Sequence, residues 1–203
     1  RIAGILDAAD ILRAKRRESL AQLDTLLQST FLEMFGDPVT NPMGWEVRDL
    51  GHIAKFINGD RGKNYPSKTD FVDAGIPFIN AGHLRDGKVD FDDMNYITQG
   101  SYDRLGSGKA VPGDILYCLR GSLGKAAISR RKGCAAIASS LVIIRPCDEL
   151  CVEYLFEYLV SPFGREEIRK FDNGSSQPNL SATSVKKYRV LIPPIVLQHR
   201  FAA

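Results

Sequence analysis

The chain has little of what a metal site or a self-contained enzyme requires. Its 203 residues include three histidines and four cysteines, with no C-x-x-C pair. Structural zinc sites need clustered thiolates and imidazoles, and His52, His83 and His199 stand apart from any cysteine pair. Cys118, Cys134, Cys147 and Cys151 therefore read as reduced, mostly buried thiols of a cytosolic protein. No apolar run approaches the ~18 residues of a membrane span. No secretory leader is visible, and Arg1 reads as internal to a longer gene product. A phosphate-binding glycine loop, a nucleophile elbow and a paired metal-ligand motif are all missing. Gly106-Ser107-Gly108-Lys109 lacks the preceding strand and the full Walker spacing, so it reads as a turn.

Acidic residues are missing from two long stretches. Between Ile115 and Cys147 there is no acid, against Arg120, Lys125, Arg130, Arg131, Lys132 and Arg145. Between Asn173 and Ala203 there is again none, against Lys186, Lys187, Arg189 and Arg200. These stretches hold ten of the 27 bases and none of the 24 acids, so the rest of a chain of net charge +3 stands at −7. Segregation of this kind creates a local positive surface on a nearly neutral protein, and a phosphate backbone is its commonest partner.

The expected fold class is α+β: a long N-terminal helix, then a strand-rich globular domain with a few helices. Residues 2–35 carry apolar side chains at steps of three and four, including Ile5, Leu12, Leu20, Leu23, Leu27 and Phe31. Five acids and, with Arg1, five bases fill the other faces. Such a helix is about 50 Å long and suits a coiled coil, a bundle or packing on its own domain. Gly36-Asp37-Pro38 stops it. The expected division is 1–36 for the helix, 37–44 for a linker, 45–194 for the globular domain and 195–203 for the start of a second helix. The second helix is suggested by an echo: Arg1-Ile2-Ala3 returns as Arg200-Phe201-Ala202, one period of a repeat of about 200 residues. Short apolar runs in 53–57, 76–79, 110–111, 114–119, 125–128 and 141–144 read as strands between Gly and Asp turns. Asp148 is expected to cap a helix over 149–160, and Ser161-Pro162 to open another to about Phe171. Ser181 or Thr183 caps a short turn before a last strand at 188–192.

The residues with binding chemistry sit on loops. Arg61 and Lys63 lie in a basic, glycine-bounded segment. Arg120, Ser122 and Lys125 lie in Cys118-Leu119-Arg120-Gly121-Ser122-Leu123-Gly124-Lys125, where glycines let the backbone approach a ligand. An arginine reads guanine bidentately or clamps phosphate, and Ser and Lys suit phosphate oxygens. Asn80, Ser139, Ser140, Gln177 and Asn179 are weaker candidates of the same kind. Asn and Gln read adenine, but they also cap turns.

Taken in order, several pieces resemble the specificity subunit of Type I restriction-modification systems. They are Phe31-Leu32-Glu33-Met34-Phe35-Gly36-Asp37-Pro38, Gly44-Trp45-Glu46-Val47, Leu50-Gly51, Gly75-Ile76-Pro77-Phe78-Ile79, Gly113-Asp114-Ile115-Leu116, Gly121-Ser122-Leu123-Gly124, Asn179-Leu180-Ser181, and Pro193-Pro194 with Gln198-His199-Arg200. One departure is Val196-Leu197-Gln198, where an acid commonly precedes the glutamine. The resemblance implies one spacer helix plus one target-recognition domain, reading half of a split double-stranded DNA site. It implies no catalytic centre, metal or cofactor in this chain. S-adenosylmethionine, ATP and Mg would belong to modification and restriction subunits with which it assembles in a prokaryotic cytoplasm. Alternatives are a half-size subunit that self-associates through its helix, and a coiled-coil interaction module that reads no DNA.

Overall fold

The computed structural model describes residues 2–171 and 179–203, the side chains of residues 2, 3 and 24 excepted. The chain forms two compact units, Arg1–Gly44 and Trp45–Ala203. The first is dominated by helix α1 (Ile2–Phe35). It ends where Gly36, at φ +77°, donates its N–H to the Leu32 carbonyl at 2.9 Å. Pro38 cannot continue the helix. Leu12, Leu20 and Leu23 are 67, 49 and 55% exposed, and Ile5 and Leu27 are exposed as well. Phe31 and Phe35 are buried, their ring centroids 5.0 Å apart. Ile11, Leu26 and Leu32, outside the stripe read from the sequence, are exposed too.

The second unit is built from short strands. They are β1 (Glu46–Asp49), β2 (Ala54–Asn58), β3 (Phe71–Val72), β4 (Ile76–Ile79), β5 (Leu84–Arg85), β6 (Gly87–Val89), β7 (Tyr96–Ile97), β8 (Lys109–Ala110), β9 (Ile115–Cys118), β10 (Ala126–Ile128), β11 (Ala135–Ile137), β12 (Leu141–Pro146) and β13 (Arg189–Ile192). The helices are α2 (Leu50–Ile53), α3 (Gln99–Arg104), α4 (Val152–Val160), α5 (Pro162–Phe171), α6 (Ala182–Val185) and α7 (Ile195–Ala202). Among the described residues, one sheet has the order β2-β12-β9-β10-β6-β5, a second the order β3-β7-β4-β11-β8, and β1 pairs with β13. The fold is thus the expected α+β, a long helix followed by a strand-rich domain.

β9 and the first four residues of β12 are buried throughout, which is why both read as unbroken apolar runs. Leu116, Cys118, Leu141 and Ile143 join Ile79 and Ile137 of the second sheet in one core cluster. The β4–β11 and β10–β6 pairs are parallel, so chain-distant segments meet where a sequence of short runs suggests hairpins. Inside the core, Asp114 is 1% exposed and accepts from Arg145 Nε at 2.7 Å and Nη2 at 2.9 Å, and from the Val111 N–H at 2.8 Å. This pairing holds the Arg145 guanidinium above its ordinary range.

One helix start differs from the sequence reading. Asp148 caps nothing: α4 begins at Val152, and its N-cap Cys151 makes no side-chain cap bond. The Leu150 N–H turns back to the Cys147 carbonyl at 3.0 Å, and the Cys151 N–H is taken by Gln198 Oε1 at 2.8 Å. A tertiary contact from α7 therefore replaces the local cap. Ser161 does open α5, its Oγ accepting from the N–H of Phe163 at 3.2 Å and of Gly164 at 3.4 Å. Of the two candidates for the later cap it is Ser181 that serves, accepting from the Ser184 N–H at 2.9 Å. Tyr154 donates to the Leu191 carbonyl at 3.0 Å and Tyr158 to that of Arg189, fastening α4 to β13.

Candidate nucleic-acid interface

Strand register gathers the candidate loops. In the first sheet Leu141 lies opposite Cys118, Val142 opposite Asn58, and Ala126 opposite Tyr117. The end of β2, the end of β9 and the starts of β10 and β12 thus share one edge. The segments holding Arg61, Arg120 to Lys125, and Ser139-Ser140 emerge side by side there. In the second sheet β4 and β11 run parallel with Ile79 opposite Ile137, and the Ala138 N–H donates to the Ile79 carbonyl at 2.8 Å. This brings Asn80 to the same end. Asn179 arrives from far along the chain through a bridge to Arg120. Nine of the ten candidates therefore occupy one loop cluster, and Gln177 lies outside the described residues.

Backbone bonds and a single carboxylate hold the cluster. The Leu119 N–H donates to Ser140 O and the Leu180 N–H to Leu119 O, both at 2.9 Å. Arg61 Nη2 reaches the Ser139 carbonyl at 3.4 Å. Asp60 accepts from the Arg61 N–H and the Gly106 N–H, each at 2.6 Å, and so ties 59–62 to 106–108. At Gly59 a Cβ would sit 2.4 Å from the Ala138 carbonyl oxygen, so only glycine lets these backbones meet. Sequence reasoning missed Asp60. The signal was an acid enclosed by Gly59 and Arg61 in an otherwise basic loop.

The side chains differ in what they leave available. Arg61, Lys63, Arg120, Ser122 and Asn179 are exposed, and Arg120 and Lys63 make no ion pair among the described residues. Ser139 and Ser140 are half-buried; their carbonyls are engaged, leaving the hydroxyls to a ligand. Asn80 opens a tight turn, its Oδ1 accepting from the Gly82 N–H at 2.8 Å and its own N–H donating to His83 Nδ1 at 3.0 Å. The turn-capping role is thus real, and it fixes the amide so that Nδ2 and one oxygen lone pair remain. His83 is buried, its Nδ1 accepting from the Asn80 N–H and its Nε2 lying 3.4 Å from the Asp93 carbonyl. Lys125 is half-buried and gives one N–H to the Ala81 carbonyl at 3.1 Å. It staples the 121–125 loop to the Asn80 turn, with two donors left. Burial raises the Cys118 thiol, which donates to the Arg120 carbonyl at 3.0 Å; it is a neutral loop support. No group of three His, Cys, Asp or Glu side chains among the described residues could hold a metal. No described helix is long and apolar enough to cross a membrane.

The six bases of the 115–147 stretch do not form one surface. Arg120 and Lys125 belong to the cluster. Arg145 is spent on Asp114. Arg130, Arg131 and Lys132 follow the far end of β10, because the strand carries the chain away from Lys125.

The family model for the Type I restriction modification DNA specificity domain matches residues 42–203. The chain belongs to this family. Among curated specificity subunits it is 22% identical over 161 residues to that of Type I restriction enzyme StySPI from Salmonella potsdam, covering 77% of this chain and 34% of the relative. It is 21% identical, with the same coverage, to the EcoKI specificity subunit of Escherichia coli (strain K12). The chain therefore spans about a third of these relatives' length. The crystal structure of the HsdS subunit from Thermoanaerobacter tengcongensis superposes with TM-score 0.65 at 20% identity, over 98% of this chain and 46% of that one. The S subunit from M. genitalium gives TM-score 0.51 at 15% identity, over 80% of this chain and 38% of that one. At such identities the likeness concerns the fold, and the first of these superpositions takes in α1 as well.

Proposed function

We propose that this specificity domain reads one half of a bipartite double-stranded DNA site, using the loop cluster at the shared end of its two sheets. The convergence of Arg61, Lys63, Asn80, Arg120, Ser122, Lys125, Ser139, Ser140 and Asn179 from five separate segments carries the reading. Cations set the register on phosphates, and Arg120, Asn80 and Asn179 offer the donors and acceptors that base edges require. The chain supplies no catalysis of its own; methyl transfer and cleavage, with S-adenosylmethionine, ATP and Mg, belong to modification and restriction subunits bound to it in the cytoplasm. In this reading α1 is the spacer that fixes the distance between half-sites, residues 45–194 are the recognition domain, and α7 opens a second conserved helix. The exposed Ile5, Leu12, Leu20, Leu23 and Leu27 then pack on a partner helix, from a second repeat or a second copy.

The test is binding of labelled duplexes by the chain in complex with its modification subunit at rising salt. Arg120→Ala is expected to weaken cognate binding by roughly 1–3 kcal/mol, the worth of one bidentate base contact, with unchanged thermal unfolding. Lys125→Ala is expected to weaken all sequences alike and to lower the salt slope by about 1. Equal affinity of wild type and Arg120→Ala for cognate DNA would remove the 118–125 loop from the interface. Absence of any DNA binding by the complex would favour the pure interaction module.

A further inference from the structure

Between the two sheets lies a partly open cavity of about 190 Å³. Its walls are apolar: Ile79 and Ala135 from the second sheet, Val89 and Ile128 from the first, and Phe91 from the segment after β6. Three bases and no acid line it, namely Lys88, Arg130 and Arg131. Arg130 is committed to Glu153 at 3.1 Å. Lys88 and Arg131 make no ion pair among the described residues. Arg131 instead lies over the Phe91 ring, 5.1 Å from its centroid, which holds the guanidinium plane and leaves its N–H edge free. Neighbouring acids are accounted for: Asp90 pairs with Arg85 at 2.7 Å, while Asp92 and Asp93, beside Phe91 in sequence, do not line the cavity. Ser129 also lines it. That residue is 5% exposed.

We propose that this cavity binds a ring-sized aromatic carboxylate. An apolar cavity of roughly 150 Å³ lined by aliphatic and aromatic side chains accepts benzene, so the present volume suits one ring with a short substituent. It falls below the ~300 Å³ at which drug-sized pockets begin, which bounds the ligand from above. The ring fills the space between the sheets, and the carboxylate meets the free edge of Arg131 with Lys88 beside it. The cationic edge of the site stands apart from the DNA loops, since Arg130 and Arg131 leave β10 at the end opposite Lys125.

The experiment is a methyl NMR titration of the 203-residue chain with phenylacetate, alongside phenylacetamide, its neutral counterpart of the same shape, and acetate. Saturable shifts of the Ile79, Val89 and Ile128 methyls are expected with phenylacetate, with a dissociation constant on the order of 1 mM. Phenylacetamide should bind about tenfold more weakly and acetate should leave these methyls unmoved. Arg131→Ala, a surface change, should lower phenylacetate affinity about tenfold and leave phenylacetamide unaffected. Ala135→Leu, which fills the cavity, should abolish binding of both. Shifts that do not saturate, equal affinity for acid and amide, or indifference to Arg131→Ala would each overturn the proposal, whether or not Ala135→Leu folds.

Discussion

Gly124→Ala carries a cost that separates into two measurable parts. Gly124 sits at φ +75° in the 121–125 loop, and a Cβ there would lie 2.4 Å from Ile168 Cδ1 of α5 and 3.4 Å from the Tyr117 hydroxyl. Gly121, three residues earlier, has a similar φ of +82°, but nothing lies within 4 Å of its Cβ position. Gly121→Ala therefore measures conformational strain alone, about 1 kcal/mol for an L residue in left-handed backbone. Gly124→Ala adds the displacement of Ile168 Cδ1. Overpacking costs about 1–3 kcal/mol, and the lower end applies because Cδ1 is the mobile tip of its side chain. The expected total is about 2–3 kcal/mol. Ile168→Val deletes that methyl and alone costs about 0.5–1 kcal/mol, since Ile168 is half-buried. With Cδ1 gone, the new methyl in the double variant meets only ordinary contacts. Its stability should match Gly124→Ala to within ~0.5 kcal/mol, a favourable coupling of about 1 kcal/mol. Urea unfolding of the wild type, both single variants and the double variant gives the coupling directly. Strict additivity, or equal costs at Gly121 and Gly124, would refute the idea that α5 supports the loop from below.

Two further outcomes follow from groups outside the loop cluster. Gln198 is fully buried and uses both ends of its amide: Oε1 accepts from the Cys151 N–H, and Nε2 donates to the Pro193 carbonyl at 2.8 Å and the Glu149 carbonyl at 3.1 Å. Gln198→Ala strands these groups and should destabilise the second unit by about 3 kcal/mol, seen as a fall in Tm of roughly 10 °C; a loss under 1 kcal/mol would mean that α7 does not lock α4. The Asp70 carboxyl is held at about 2, below its usual 3.8, by the Ser67 hydroxyl first, then the Ser67 N–H and Arg104. A lowered folded value means stabilisation that is complete above the ordinary carboxylate range and fades as pH falls through about 2. Carboxyl NMR should show Ser67→Ala moving the Asp70 midpoint upward, and an unmoved midpoint would exclude the Ser67 hydroxyl as its leading cause.

Much of the fold was legible because it rests on local signals. Leu141 to Ile144 read as a strand since both faces are covered, and Ser161-Pro162 opened α5 since capping and a first-turn proline act within four residues. The misreading at Asp148 has the opposite origin. Its helix starts where a glutamine about 50 residues later takes the Cys151 N–H, and no local rule contains that contact. The candidate site divides in the same way. Glycine-flanked arginines marked the loops, but their meeting depends on the register of β2, β9, β10 and β12 and on the parallel β4–β11 pair. Parallel pairing joins segments with no turn between them, so nothing in the intervening sequence announces it.

The charge pattern shows how far composition reaches. An acid-free run of 33 residues places six bases near one another in sequence. β10 spans only three residues, but at ~3.3 Å per residue it carries the chain about 10 Å and from one end of the sheet to the other. Lys125 and Arg130, separated by little more than that strand, therefore serve different surfaces. The first braces the Asn80 turn beside the proposed DNA loops, and the second meets Glu153 at the rim of the cavity. A stretch without acids thus marks a segment free of competing carboxylates rather than a single face. What each base then does is decided by the partner waiting at its end of the strand: a buried aspartate for Arg145, a backbone carbonyl for Lys125, an aromatic ring for Arg131, and solvent for Arg120. Only the last of these is left free by the protein to meet a phosphate or a base edge with its whole guanidinium. Arg120 is for that reason the first residue to change if the DNA reading is to be tested.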